Sequence, residues 1–327
     1  MKKLLLLCLC LLFVAGSAFG CTDQSDNTIK INEVTHSVFY APQYLAMSLG
    51  YFTEEGLTIE LTNGGGSDKS MTAILTGEAD IALLGPETVC YVYAQGKRDL
   101  PVIFAQLTKR DGSFLVGRTP EENFDYSNLA GKEIIMGRRG GMPAMTLQYI
   151  LNRHGYEDGK NITMNYDVQF NLTAPAFSAG TGDYVSLFEP TASQLVRQQK
   201  GYIVSSVGKE SGEVPYTCYV ANKSYLKGHT KQMQKFLHGI RRATEYLAAH
   251  DVSEVADLLL PYFAGSTKQE IVDALANYKA NDTWVSSPIM KPEAFSRLQE
   301  IMRNAGELQG DVPYEAVVDF SVAESIL

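Results

Sequence analysis

The strongest constraint in this chain is a regular alternation of short apolar strands with amphipathic helices, which restricts it to α/β architectures. Ile29–Val34 (IKINEV) predicts a strand, and Ala41–Leu49 a helix ended by Gly50. Leu57–Leu61 is a second strand. Asp68 is positioned to N-cap a helix that runs to Thr76 and stops at Gly77. Ile81–Leu84 (IALL) is a short strand apolar at every position, as expected when both faces are covered. Pro86 then opens a helix in the first-turn position that suits a residue without an N–H, and Pro101–Leu107 is a further strand. This order predicts a mostly parallel, doubly wound sheet.

A second unit of the same kind begins near Leu115. Glu133–Gly137, Ile162–Gln169, Tyr184–Phe188 and Tyr202–Val207 read as strands. Pro143–Arg153 (ended by Gly155) and Thr173–Ala179 read as helices. After Cys218-Tyr219-Val220 the pattern becomes helical throughout: Lys231–His250, Val252–Leu260, Gln269–Tyr278 and Pro292–Ala305. A helical tail without its own sheet must pack on one of the two units. The expected arrangement is therefore two α/β lobes with a ligand cleft between them. Lobe one comprises residues 28–111 plus 217–327, lobe two residues 112–216, and the chain crosses between them twice.

The N-terminus carries an address. Met1-Lys2-Lys3 is a basic start, Leu4–Val14 is unbroken apolar sequence, and small residues follow up to Gly20-Cys21. This predicts a signal peptide over residues 1–20, too short for a confident transmembrane helix. Cys21 stands where a lipidated cysteine becomes the mature N-terminus, although Ala18-Phe19-Gly20 also suits ordinary signal peptidase. The polar stretch after it makes residues 21–27 a lipidated cysteine and tether, giving an extracytoplasmic, membrane-anchored lipoprotein.

The net charge is −9, and removal of Lys2 and Lys3 makes it more acidic, which argues against a nucleic-acid partner. Only Cys90 and Cys218 remain in the folded body, either as one disulfide or as two buried thiols. Neither a CxxC nor a Cys/His cluster is present, so no metal is expected. The five histidines form no HExxH, and there is no GxSxG nucleophile elbow, so an enzyme is not expected.

Five phrases in order carry a family likeness. "APQYLAMSLGYFTEEGLTIEL" (Ala41–Leu61), "LTGEADIALLGPE" (Leu75–Glu87), "LAGKEIIMGRRGGMPAMTLQYILNRHGY" (Leu129–Tyr156), "GDYVSLFEP" (Gly182–Pro190) and the segment Tyr278–Leu308 span nearly the whole mature chain. Together they resemble the extracytoplasmic solute-binding proteins of ABC importers for nitrate, sulfonates, taurine and thiamin pyrimidine precursors. The resemblance implies a two-lobe periplasmic-binding-protein-like (type II) fold. It also implies a monomer that hands a small solute to a permease and its ATPase, with no cofactor. Fungal pyrimidine synthases resemble the same family, but their cysteine-rich iron motif has no copy here.

In such a fold the carboxyl ends of the strands and the helix N-termini face the cleft, where unpaired backbone N–H groups suit an anion. His36 with Phe39 and Tyr40, then Gly85 with Glu87 and Thr88, then Arg139 with Gly140 and Gly141, occupy such positions. Gly64-Gly65-Gly66-Ser67 offers a further turn before a helix. Phe39, Tyr40, Tyr91, Phe170 (with Asn171), Tyr184 and Phe188 supply aromatic walls, and Glu189 a carboxylate at a strand end. Aromatic walls and Glu189 favour a small nitrogen heterocycle; Arg138-Arg139-Gly140-Gly141 favours a sulfonate, taurine- or nitrate-like anion.

Overall fold

The computed structural model describes residues 27–96 and 98–327. The expected signal peptide, Cys21 and the tether up to residue 26 lie outside the described residues. Ten strands form two five-stranded sheets. The first holds β1 (Thr28–Glu33), β2 (Thr58–Asn63), β3 (Ile81–Leu84), β4 (Pro101–Thr108) and β10 (Thr217–Asn222), in the order β2-β1-β3-β10-β4. The second holds β5 (Ser113–Gly117), β6 (Glu133–Ile135), β7 (Thr163–Asn165), β8 (Tyr184–Phe188) and β9 (Tyr202–Ser206), in the order β7-β6-β8-β5-β9. This is an α/β fold of two mixed sheets with interleaved helices.

Each sheet has three parallel strands side by side and one antiparallel strand next to the far edge. In the first, Ile31 pairs with Ile81 on one side and Leu61 on the other, while β10 runs antiparallel to β3 and β4. In the second, β6 runs parallel to β7 and β8, and β5 antiparallel to β8 and β9. The sequence patterns did not anticipate β5 and β10 as strands. β5 follows β4 directly across the first crossing, and β10 follows the second after only the short helix Val207–Ser211; both enter antiparallel.

The helices follow from spacing and caps. Those that matter here are α1 (Ala41–Ser48), α2 (Ser67–Thr76), α3 (Glu87–Ala94), α4 (Met142–Arg153), α5 (Thr191–Arg197), α6 (Thr230–Ala249), α7 (Val252–Leu259), α8 (Lys268–Ala280) and α9 (Pro292–Asn304). In α6 the residues Met233, Phe236, Leu237, Ile240, Ala243 and Leu247 are buried at three- and four-residue spacing, the stripe that docks an amphipathic helix. Phe236 stacks on Phe52 with ring centroids 5.3 Å apart, which fixes the helical tail to the first sheet's layer. Thr267 and Glu270 close a capping box at the start of α8.

Several boundaries differ from expectation. The N-cap of α2 is Gly66, and Asp68 is an acid within the first turn. Pro86 is the N-cap residue of α3 rather than its first helical residue. The strand expected over Ile162–Gln169 is only Thr163–Asn165, because Phe170–Leu172 winds into a 3-10 turn ahead of the next helix. Cys90 and Cys218 are both buried and free. Among the described residues no helix is long and apolar enough to cross a membrane.

Candidate functional site

The carboxyl ends of β1, β2 and β3 in the first sheet and of β6 and β8 in the second converge on one cavity. Val34, Thr35 and Ser37 follow β1, Gly66 and Ser67 follow β2, and Gly85 and Glu87 follow β3. Gly137, Arg138 and Gly141 follow β6, and Phe188 ends β8. The cavity measures about 70 Å³. At a water's share of about 30 Å³, that is room for about two water molecules in this arrangement.

Three helix N-termini meet here: those of α2, α3 and α4. Their free backbone N–H groups and dipoles would attract an anion. The chain supplies one itself. Glu87, at the first position of α3, is 1 % exposed, and its Oε2 has no hydrogen-bond partner. Burial pushes its pKa up to about 7; its own N–H, Arg138 and the Met142 N–H pull in the other direction, and Asp68 adds to the rise. A carboxyl group so placed stands near half-protonation at neutral pH, able to accept a hydrogen bond or to donate one. Gly85 is required opposite it, because a Cβ there would stand 2.1 Å from Oε2.

The rest of the wall is aromatic. Phe39 lies 5.6 Å from Phe188 and 5.7 Å from Tyr216 between ring centroids, both edge-to-face, and Phe170 lies 5.8 Å from Phe188. Tyr40 is buried beside them. Rings packed edge-to-face hold one another in place and leave a slot suited to a planar solute.

Polar contacts join the two sides of the cavity. The Tyr91 hydroxyl donates to the Gly140 carbonyl at 3.0 Å, the Ser37 hydroxyl donates to the Glu189 carbonyl at 2.9 Å, and the Arg138 guanidinium faces Asp68 at 3.7 Å. Farther out, the Tyr149 hydroxyl of α4 donates to Glu300 of α9 at 2.9 Å.

Of the residues expected from sequence, Phe39, Tyr40, Gly66, Ser67, Gly85, Glu87, Arg138, Gly141, Phe170 and Phe188 line the cavity. The others are engaged elsewhere. Glu189 is buried, but its carboxylate accepts from the Ser193 N–H and hydroxyl at 3.0 and 2.8 Å and from Asn277 at 2.7 Å. It ties the start of α5 to α8 rather than lining the cavity. Arg139 lays its guanidinium 3.9 Å from the centre of the Tyr166 ring. The Tyr184 hydroxyl donates to Glu121 at 2.7 Å, at the end of β8 opposite Phe188. Thr88 turns its hydroxyl back onto the Gly85 carbonyl at 2.8 Å. Gly140 offers its carbonyl to Tyr91, and Asn171 is exposed.

His36 belongs to a neighbouring polar cluster. Its Nδ1 lies 2.9 Å from Glu33, and its Nε2 meets the Tyr262 carbonyl, so both nitrogens face acceptors. Glu33 raises the His36 pKa above its ordinary value, with the Tyr262 carbonyl adding to the effect and burial opposing it. Tyr216 carried no local signal in the sequence. It precedes β10 at the second crossing and reaches the cavity only because that strand inserts between β3 and β4. Among the described residues no group of three or more His, Cys, Asp or Glu side chains is arranged to hold a metal ion.

Comparison with known proteins gives the family and the fold. Residues 38–253 match the family described as NMT1/THI5 like. The chain is 40% identical over 320 residues to the Bacillus subtilis (strain 168) protein named "Putative binding protein YtlA", covering 98% of this chain and 96% of that one. It is 26% identical over 239 residues to the 4-amino-5-hydroxymethyl-2-methylpyrimidine phosphate synthase of Aspergillus parasiticus, 68% of each chain. Its fold superimposes on the alkanesulfonate-binding protein SsuA from Xanthomonas axonopodis pv. citri, bound to MOPS. The TM-score is 0.72 at 15% identity, with 89% of this chain and 98% of that one covered.

Proposed function

This chain belongs to the NMT1/THI5-like family, and from that premise we propose that it is the extracytoplasmic solute-binding component of an ABC importer. It captures a small nitrogen heterocycle of the kind of a thiamin pyrimidine precursor. The observation that carries the ligand class is Glu87: a buried carboxyl with an unpartnered oxygen, inside an aromatic slot. An aminopyrimidine edge offers one ring nitrogen and one amino group side by side. A carboxyl group sharing one proton with that edge satisfies both at once.

In this reading the two lobes are residues 28–111 with 217–327, and residues 112–216. They close by hinge motion about the two crossings. Ligand binds one open lobe, and the bonds from Tyr91 to Gly140 and from Ser37 to the Glu189 carbonyl form only as the other lobe arrives. Ligand therefore shifts the population toward the closed form, which the permease reads. Cys21 carries the lipid that keeps the monomer at the membrane, and the protein performs no catalysis of its own.

A second reading, a sulfonate-like anion, is favoured by Arg138 and the three helix N-termini at the same cavity. The position of Glu87 weighs against it, because its carboxyl already occupies the N-terminus of α3. Native mass spectrometry of the protein with co-purifying ligand distinguishes the readings. A bound basic heterocycle supports the first, and a bound sulfonate overturns it.

A further inference from the structure

We propose that Glu307, which follows α9, makes the closed cleft reject anions: closure carries its carboxylate from lobe one to the N-terminal end of α4 in lobe two. The proposal rests on the reading of the cleft as a solute site that closes, and it deepens that reading by naming what the site turns away.

Lobe two by itself is built to attract an anion. Arg138, Arg139 and Gly140 lead into α4, and the first turn of α4 contains no acid. Pro143 has no N–H, so Met142 and Ala144 are the donors that this turn leaves without a helical acceptor. Arg138, Met142 and Ala144 all line the cavity. The helices of lobe one differ, since α2 carries Asp68 in its first turn and α3 carries Glu87.

Lobe one supplies the acids that lobe two lacks. Asp68 faces the Arg138 guanidinium at 3.7 Å, and the Met142 N–H lies on Glu87. Glu307 adds the third. Helix α9 ends at Asn304, Gly306 turns the chain through the left-handed region (φ 78°), and the Glu307 N–H returns to the Met302 carbonyl at 2.9 Å. This turn sets the carboxylate against Gly140: a Cβ there would stand 3.3 Å from Glu307 Oε2. Contacts between α4 and α9 hold it in place, with Tyr149 donating to Glu300 and Asn152 to Asn304, each at 2.9 Å.

The charge stays unneutralised. Among the described residues no basic side chain pairs with Glu307, and Arg303, one turn earlier, pairs with Asp311 at 2.8 Å. Burial first, then the charges of Glu87 and Glu307, raise the Tyr91 phenol above its ordinary value, and Tyr91 donates to the Gly140 carbonyl. An anion seated between Arg138 and α4 would therefore be repelled by Glu307 as the lobes close, whereas a neutral or basic solute would not.

The test is calorimetric titration of the full chain, in a buffer free of sulfonates, with ethanesulfonate and with 4-aminopyrimidine. Glu307→Gln should raise ethanesulfonate affinity about fivefold, the effect of removing one like charge at this range, and should not raise 4-aminopyrimidine affinity with it. Glu307→Lys should raise ethanesulfonate affinity about twentyfold, and it gives the same reading if Glu307→Gln does not fold. An equal gain for both solutes would mean that Glu307 opposes closure itself, and would overturn the proposal. So would the lack of any gain for ethanesulfonate in either variant, measured up to about 10 mM. A wild type that does not bind 4-aminopyrimidine, with the ethanesulfonate gain intact, would instead remove the heterocycle reading and leave the role of Glu307 standing.

Discussion

Gly85 and Glu87 claim one volume: the Oε2 of Glu87 stands 2.1 Å from where a Cβ on residue 85 would lie. The tight turn out of β3 therefore accommodates the carboxyl only while residue 85 has no side chain. Gly85→Ala should push the carboxyl off its position and lower heterocycle affinity at least as much as Glu87→Gln does. Overpacking of this kind costs about 1–3 kcal/mol of stability. Calorimetric titration and thermal melting of the two variants side by side measure both effects. Unchanged affinity in Gly85→Ala would show that the carboxyl position is not what the ligand reads.

Exchanging charges at the cleft separates the two ligand classes by sign. Glu87→Gln should weaken an aminopyrimidine by roughly 1.5–3 kcal/mol, the range for a hydrogen bond to a charged group, and should leave an alkanesulfonate unaffected or tighter. Arg138→Ala should do the reverse. Glu189→Gln and Arg139→Ala serve as controls: both residues are held away from the cavity, so neither should alter affinity directly.

The titration of Glu87 gives a pH signature. Its folded pKa is raised from 4.5 to about 7 by burial, so between those values the folded chain binds more protons than the unfolded one. The stability this group contributes is complete below about pH 4.5 and is lost as pH rises through 7. The loss amounts to roughly 2–4 kcal/mol. Asp111, raised to about 6 by burial, adds a loss of the same sign. The difference between wild type and Glu87→Gln in denaturant unfolding from pH 4 to 8 isolates the Glu87 part. Heterocycle affinity should also fall above pH 7, because the complex keeps a proton that the free site has released. Curves for wild type and variant that run parallel across this range would contradict the assignment.

The parallel strands and long helices were legible because each carries its own period, two or near 3.6, within a few residues. The strands β5 and β10 were not, since their place depends on where the chain re-enters a sheet. With β10 went Tyr216. Side-chain direction at element ends was the other blind point. Phe188 and Glu189 are adjacent, as are Arg138 and Arg139. In each pair only the first lines the cavity, and a one-residue change of face cannot be told from composition. Glu87 was legible as a helix-start residue after Pro86, but the carboxylate facing the ligand was expected at Glu189 until burial and partners were known.

Anchoring has a direct test on residues outside the described structure. Cys21 is expected to carry the lipid, so Cys21→Ala should move the protein from the membrane fraction to the soluble one, and mass spectrometry of the wild-type N-terminal peptide should show acylation. A free Cys21 thiol on protein recovered away from membranes would exclude the anchor.

Closure about the two crossings is the last consequence, and Gly112 offers a handle on it. Gly112 lies in the first crossing, between β4 and β5, and a Cβ there would stand 2.4 Å from the Phe39 ring. Phe39 is in turn held between Phe188 of the second sheet and Tyr216 of the second crossing. Gly112→Ala therefore forces Phe39 and the crossing apart in the arrangement seen here, while an opened cleft would relieve the contact. Wild type should contract on adding ligand, read as a smaller radius of gyration by small-angle scattering. The variant should stay nearer the open size, and its apparent affinity should fall in proportion to its closed fraction. About 1.4 kcal/mol of bias against closure would lower the affinity of a mostly closed population by up to tenfold. Tighter ligand binding in Gly112→Ala, or an unchanged wild-type radius at saturation, would mean that the crossings do not act as hinges.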